Sequence, residues 1–349
     1  MTLVVLVAIV ALLIAGGAVY QAIGSSIDSR RYPPPGRLIE VGSHRLHIHC
    51  AGKGGPTVVL EAGGYGAWLQ WAWVQPGVAQ FARACAYDRA GLGWSDPAPG
   101  PRTASVEAEE LRALLTNGHE PGPYVLVASS YGALVARAFA ARYADRVAGM
   151  VLVDPAHPWQ YGGGPRDSDV HFPEGLRRLE RRAASVAPMA ALGLVRLMRS
   201  DRLGLFSVIR TYPPELIPAI KAILSRTPHW RAGAEEMRTF DESSKDAAGL
   251  VSLGDVPLAI VAADSTYTAP GAPVPSGVDG RELNRIALTL NERLTGLSSS
   301  SEFIVVQGAT HVSLSSVQQH ADRVVEVIRR VVEKVRERSR RLGVAHERP

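Results

Sequence analysis

Short apolar runs bounded by turn residues recur along the chain at Arg37 to Val41, Arg45 to Cys50, Thr57 to Glu61, Ala84 to Tyr87, Tyr124 to Ala128, Met150 to Val153, Pro257 to Val261 and Glu302 to Val306. They predict eight strands. From the third run onward they alternate with helical periodicity over Val106 to Leu115, Tyr131 to Tyr143, Glu282 to Leu294 and Val317 to Val335. That alternation argues an α/β architecture, a mostly parallel sheet with helices on both faces. The first two runs, joined by Gly42-Ser43-His44, read as a hairpin. Between Pro155 and about Leu253 the strand pattern gives way to Arg-rich amphipathic stretches, Gly175 to Val186 and Ala190 to Met198, broken at Pro213-Pro214 and Pro228. A helical segment inserted between the sixth and seventh strands is a cap. No internal repeat is present.

The chain opens on a different pattern. Leu3 to Ile23 contains no charged residue, a run long enough to cross a bilayer. No basic residue precedes it, and it is long for a signal-peptide core, so an uncleaved anchor is favoured over a signal segment. Tyr32-Pro-Pro-Pro-Gly36 follows as a stiff linker that cannot continue a helix. The expected organisation is an anchor or signal segment over 1–24, a Pro-rich linker over 25–36, a core formed by 37–154 and 254–338, a helical cap over 155–253 and a basic tail over 339–349. Arg30 and Arg31 beside the apolar run would hold the domain in the cytoplasm by the positive-inside rule. Cys50 and Cys85 lie on strands expected to be antiparallel neighbours. They fit a disulfide in an oxidising compartment and, equally, two buried thiols. An extracytoplasmic domain is the placement adopted.

With 349 residues, 46% hydrophobic and 20% charged, the chain can bury a large core within one catalytic domain. The net charge of +5 is spread through the cap and the C-terminal end, with no basic stripe interleaved with aromatics. Nucleic acid is therefore not an expected partner. The basic run Lys334 to Arg341 reads as a solvated helix end that an anchored protein could rest on anionic lipid. His44, His47 and His49 have no nearby Cys, Asp or Glu that completes a zinc set, and they read as surface strand histidines. Neither a metal nor a cofactor is expected.

The strongest chemical signal lies in Tyr124-Val-Leu-Val-Ala128-Ser129-Ser130-Tyr131-Gly132, an apolar strand, a turn of small residues and a helix. This is the layout of a nucleophile elbow, with Ala128 where glycine is usual. Ser130 has small neighbours two before and two after it, whereas Ser129 would be flanked by Val127 and Tyr131. A nucleophilic serine needs a base to take its proton and an acid to orient that base. His311, in the turn after the last strand, is the expected base. Asp154, at the end of the sixth strand, and Asp264, just past the seventh, both point to the same edge of the sheet, and either fits the acid. The expected oxyanion donors are the backbone N–H groups of Tyr131 and of Gly64, in the loop Glu61-Ala-Gly63-Gly64-Tyr65-Gly66.

Residues 37 to 335 resemble the α/β-hydrolase fold superfamily. The resemblance rests on Leu60-Glu-Ala-Gly-Gly64, Tyr87-Asp-Arg-Ala-Gly-Leu-Gly-Trp-Ser95, the serine elbow, Gly149-Met-Val-Leu-Val-Asp-Pro-Ala-His157 and Gly308-Ala-Thr-His311. It implies an eight-stranded sheet and a structural role for Asp88, Arg89, Gly91 and Gly93. Relatives with the acid after the seventh strand keep it where this chain has Thr266, two residues beyond Asp264, whereas those with the acid after the sixth keep it at the position of Asp154. Asp154 is preferred on that ground, with Asp264 as the alternative.

The expected function is a serine hydrolase of the carboxylesterase or lipase type, cleaving an ester with an apolar acyl group through an acyl-enzyme on Ser130. Leu192, Leu194, Leu197, Met198, Leu203, Leu205 and Phe206 in the cap suggest an apolar acyl pocket, although apolar residues on helices are more often simple packing. Other serine chemistry on the same scaffold (peptide or C–C hydrolysis, acyl transfer) and a non-catalytic lipid-binding protein are the alternatives.

Overall fold

A computed structural model describes residues 2–162, 170–175, 177, 185–198, 207–272, 274–341 and 343. Its centre is an eight-stranded sheet: β1 Arg37–Glu40, β2 Arg45–Ala51, β3 Val58–Glu61, β4 Ala84–Tyr87, β5 Tyr124–Ser129, β6 Val147–Val153, β7 Leu258–Ala263 and β8 Ser301–Val306, in the order β1-β2-β4-β3-β5-β6-β7-β8. The β1–β2 and β2–β4 pairs are antiparallel and every other pair is parallel. Every residue of β3 to β7 is buried, as strands covered on both faces require. All eight expected strands form, each within a few residues of its expected limits.

Two apolar layers cover the sheet. On one face Trp71, Val74 and Val78 join Val324, Ile328, Val331 and Val332 of the long C-terminal helix. On the other Leu111, Leu114, Leu134 and Phe139 come from the helices after β4 and β5. We label the helices α1 Thr2–Arg31, α2 Val74–Val78, α3 Ala104–Asn117, α4 Gly132–Arg142, α5 Val186–Ala191, α6 Leu194–Leu197, α7 Ile217–Leu224, α8 Thr227–Arg238, α9 Phe240–Ala248, α10 Gly280–Arg293, α11 Ser313–Ser316 and α12 Gln318–Arg341. Helices α5 to α9 lie between β6 and β7, where the cap was expected. Most of the helix expected over Gly175 to Val186 lies outside the described residues.

Three expectations change. First, α1 does not stop near residue 24 but runs to Arg31, taking in half of the expected linker. Nothing in Gly24-Ser-Ser-Ile-Asp-Ser-Arg-Arg31 stops a helix; the first proline comes at 33. The remainder of the linker is pinned: Trp94 Nε1 donates to the Tyr32 carbonyl at 3.0 Å, and His47 Nε2 is bonded to the Pro35 carbonyl. Second, His47 is not on the surface. It is fully buried, with Nδ1 2.8 Å from Asp88 Oδ2, and the rings of Trp68 and Trp94 cover it. The alternation of β2 had suggested one wet face, yet those two tryptophans, distant in sequence, close it.

Third, the basic C-terminal run, though largely exposed as expected, is tied to the fold at its middle. Arg336 donates to the carbonyls of Gly55, at 3.0 Å, and Phe81, at 2.6 Å. Arg338 pairs with Asp255 and Lys334 with Glu302. The two cysteines face each other across β2 and β4 and form a disulfide.

Asp88 organises this end of the sheet. Besides His47 it accepts from the backbone N–H of Trp68 at 2.7 Å and of Trp94 at 3.0 Å. Burial alone would lower the His47 imidazole, but the hydrogen bond and charge of Asp88 and the Pro35 carbonyl outweigh it, so its pKa stands above the ordinary value. A group with a raised folded pKa stabilises fully below its unfolded pKa, and that contribution is lost as pH rises through the folded value. The gap in unfolding midpoint between wild type and His47→Asn is therefore expected to be widest below about pH 6.5 and to narrow above it. Denaturant titrations at several pH values measure this, and a gap independent of pH would rule out a charged pair.

Candidate active site

Strand β5 ends at Ser129, and the chain turns sharply into α4 through Ser130, whose φ is 51°. A residue with a side chain rarely holds that conformation unless its surroundings dictate it. Here they do: Ser130 N–H donates to the Val153 carbonyl at 3.2 Å, and the Ser130 carbonyl accepts from Ala133 N–H at 3.0 Å and Ala156 N–H at 2.9 Å. At Gly132 a Cβ would press into the Ala62 carbonyl and the Glu61 side chain. That close approach explains the small residue two after the serine. On the other side, the Ala128 methyl is fully buried in the core against α4, so alanine is accommodated where glycine is usual.

His311 follows β8, and its Nδ1 lies 2.6 Å from Asp154 Oδ2. Asp154 is buried, has a φ of 42°, and directs its other oxygen to Ala263 N–H at 3.2 Å and Asn291 Nδ2 at 3.0 Å. Its four interactions, backbone included, hold one rotamer: its own N–H donates to the Val261 carbonyl at 2.6 Å. Asp264 does something else. Its Oδ1 accepts from Gly308 N–H at 2.8 Å and Ser265 Oγ at 2.7 Å, which caps the turn leading to His311. Thr266 accepts the backbone N–H of His311 at 2.7 Å. Of the two carboxylates, Asp154 is the one bonded to the imidazole.

The loop after β3 approaches the elbow closely: a Cβ at Gly63 would lie 3.2 Å from Ser130 Cβ, and one at Gly64 2.9 Å from Met237 Cε. Gly63 N–H donates to Gln70 Oε1 at 2.8 Å and Tyr65 N–H to Glu236 Oε2 at 3.3 Å. Between them, a Cβ at Gly64 would also lie 3.5 Å from Tyr131 Cβ, so loop and elbow approach closely here.

Beneath this loop sits Arg89, almost fully buried. It donates to the Ala62 carbonyl at 2.7 Å, the Gly63 carbonyl at 2.8 Å and Glu236 Oε1 at 2.8 Å, and also bonds Glu61. Glu107 and Arg102 complete the cluster. Burial opposes the charge on Arg89, but Glu236, Glu61 and Glu107 outweigh it and raise its pKa. Burial pushes Glu61 and Glu107 up. Glu236 belongs to cap helix α8, so one guanidinium ties sheet, loop and cap together.

Ser130, His311, Asp154, Gly64 and Tyr131 all line one cavity of about 760 Å³. Its walls are largely aromatic and aliphatic, with Tyr65, Phe172, Met237, Phe240, Tyr267 and Leu290. His157 joins them, lowered to about 4 by burial and then by Arg137 and Arg293, so it is neutral near pH 7. Of the cap residues that suggest an acyl pocket, Leu192, Leu194, Leu197 and Met198 are absent from the cavity wall, and the last three are exposed. Leu203, Leu205 and Phe206 lie outside the described residues. Helical periodicity identified an apolar face of the cap, but not which surface that face meets. Among the described residues, the cluster of metal-type donors is Cys50, Cys85 and Glu120, whose two sulfurs are bonded to each other.

The sequence reading missed Asn291 and Glu236. Asn291 and the similarly buried Asn284, one heptad earlier on α10, interrupt the stripe of Leu283, Ile286 and Leu290. Polar residues in a buried stripe need partners, and that was the available signal. Glu236, in an exposed-looking run of α8, gave none.

Residues 56–182 match the family model of the alpha/beta hydrolase fold. Among curated relatives, a probable transporter efuK of Hormonema carpetanum is 35% identical over 133 residues, 36% of this chain and 19% of that protein. An uncharacterized vacuolar membrane protein of Saccharomyces cerevisiae is 33% identical over 133 residues, 33% of this chain and 21% of that protein. The chain thus spans only about a fifth of the length of these relatives. A solved thermophilic esterase from Thermogutta terrifontis, 22% identical, superposes with a TM-score of 0.59 over 86% of this chain and 98% of its own. The match over the elbow, the strand order and the superposition along most of the chain together show that this chain has the α/β-hydrolase fold.

Proposed function

We propose that this chain is a membrane-anchored serine hydrolase that cleaves carboxylic esters through an acyl-enzyme on Ser130. The observation that carries the reading is the 2.6 Å bond between His311 and Asp154 in the cavity that also contains Ser130 at its elbow. In this mechanism His311 takes the Ser130 proton as Oγ attacks the ester carbonyl, and the tetrahedral oxyanion is held by the N–H groups of Gly64 and Tyr131. Asp154 keeps the imidazole in the tautomer with a proton on Nδ1 and stabilises its charged form. His311 then protonates the leaving alcohol, and water, deprotonated by the same histidine, releases the acid.

The serine argues against the aspartate nucleophile that dehalogenation and epoxide opening on this fold would use. An apolar cavity wall favours an apolar acyl group over a charged substrate. Membrane attachment is supported by α1, whose 30 residues are long and apolar enough to span, and by a vacuolar membrane protein among the relatives. The Cys50–Cys85 disulfide supports an extracytoplasmic domain.

Fluorophosphonate labelling of wild type, abolished in Ser130→Ala, is the expected result; an unlabelled wild type would instead favour a lipid-binding protein without catalysis. With p-nitrophenyl esters of increasing chain length, Asp154→Asn is expected to lose on the order of 10⁴ in kcat, while Asp264→Asn stays within a few-fold of wild type. Similar losses in both variants would contradict the assignment of the acid. Arg89→Met leaves buried carboxylates without their cation, and a destabilisation of about 3–5 kcal/mol is expected from the shift in unfolding midpoint. A change within about 0.5 kcal/mol, the range of ordinary surface substitutions, would show that the cluster is not acting as a buried ion network.

A further inference from the structure

The anchor is not a free tether. Its second half lies against the cap: Gln21, buried, donates to the Ser225 carbonyl at 2.6 Å, and Arg196 pairs with Asp28 and donates to Gln21 Oε1 at 3.2 Å. Small residues permit the contact. A Cβ at Gly17 would fall 2.6 Å from the Leu192 carbonyl, one at Gly24 2.6 Å from Arg196 Nε, and one at Gly193 2.7 Å from Tyr20 Cδ1. The connection beyond α1 is fixed as well, by the bonds to the Tyr32 and Pro35 carbonyls.

Length then constrains where the cap can be. The hydrocarbon core of a bilayer is about 30 Å thick and takes about twenty residues to cross. The uncharged run Leu3 to Ile23 supplies that length. As the span, it places Gly17, Tyr20 and Gln21, the residues that touch Leu192, Gly193 and Ser225, within the hydrocarbon or its boundary. The cap at that point has to be at the bilayer surface.

The side chains there suit that environment. Among the described residues outside α1, the exposed large apolar side chains are Leu194, Leu197, Met198, Val251 and Val312, and the first three belong to this one short segment. Leu197 is 66% exposed, while its neighbour Arg196 is turned inward to α1 and buried to within 14% of its side chain. An apolar cluster facing out, beside a membrane helix and with its one cation withdrawn, is complementary to lipid rather than to water.

We propose that the cap segment Leu192–Met198 inserts Leu194, Leu197 and Met198 into the interfacial layer of the bilayer that α1 crosses, so that the cap is a second membrane contact of the protein. The inference rests on the reading of α1 as a membrane span. It is tested on the full-length protein in phosphatidylcholine vesicles, with an environment-sensitive nitrobenzoxadiazole probe on single introduced thiols, the native cysteines being held in their disulfide. Leu197→Cys reports the cap, Leu6→Cys the anchor and Val251→Cys, 84% exposed at a different site, the water-facing surface. The expected result is blue-shifted emission at 197, quenched by lipids carrying a doxyl group near the headgroup, with the probe at 6 quenched by deep doxyl groups and that at 251 unquenched. If the probe at 6 is quenched and that at 197 behaves like 251, the cap contact is overturned and the anchor survives. If the probe at 6 is also unquenched, the membrane span fails and the cap contact fails with it.

Discussion

A single buried guanidinium sets the geometry on which the site depends. Arg89 holds two consecutive carbonyls of the loop after β3, Ala62 and Gly63, and so fixes the direction of the intervening peptides and of the Gly64 N–H that follows. Burying a charge is costly unless carboxylates and hydrogen bonds surround it. The chain supplies them from three places, Glu61 on β3, Glu107 on α3 and Glu236 on α8. Ion clusters of this kind add little net stability compared with apolar packing, but they tolerate few alternative arrangements. What Arg89 contributes is therefore registration: the loop cannot shift relative to sheet or cap without exposing one of these charges to an apolar interior.

The elbow obeys a similar constraint by shape rather than charge. The peptide after Ser130 must pass the Ala62 carbonyl, and only a residue lacking Cβ fits at 132. Loop and elbow thus meet at the same residue, Ala62, held by Arg89 on one side and closing on Gly132 from the other. Alanine at 128 shows that the demand is unequal on the two sides of the serine. Its methyl enters the core beneath the sheet, where there is room, whereas nothing larger than hydrogen fits opposite.

Local pattern carried most of this fold. The strands, their alternation with helices, the elbow and His311 were all legible because each is written in adjacent residues. The carboxylate that meets His311 was legible only as a choice, since Asp154 and Asp264 both end strands at one edge of the sheet. Register separates them. Val153 stands beside Val261, so Asp154 is level with Ala262, while Asp264 is two residues further along and has turned into the loop before α10. There it caps the Gly308 turn. Contacts between distant segments were not legible: the closing of His47 by two tryptophans, the support of Asp154 by Asn291, and the cap residue Glu236 that reaches Arg89. Of the cap's apolar side chains, Leu192, Leu194, Leu197 and Met198 do not reach the cavity, and periodicity could not have said so, because it reports that a helix has two sides without saying what lies against each.

The cap joins the two ends of this molecule's chemistry. Helices α5 and α7 touch α1, and α5 also packs on α8, which carries Glu236 into the Arg89 cluster and Met237 into the cavity wall. Phe172, Tyr267 and Leu290 of the cavity wall belong elsewhere, to a small apolar cluster with Leu283 and Ile286 that is separate from the two main layers of the core. The part of the wall that carries Met237 is the part whose Glu236 accepts from Tyr65 N–H and Arg89, so displacing it would disturb the loop after β3 as well as the cap.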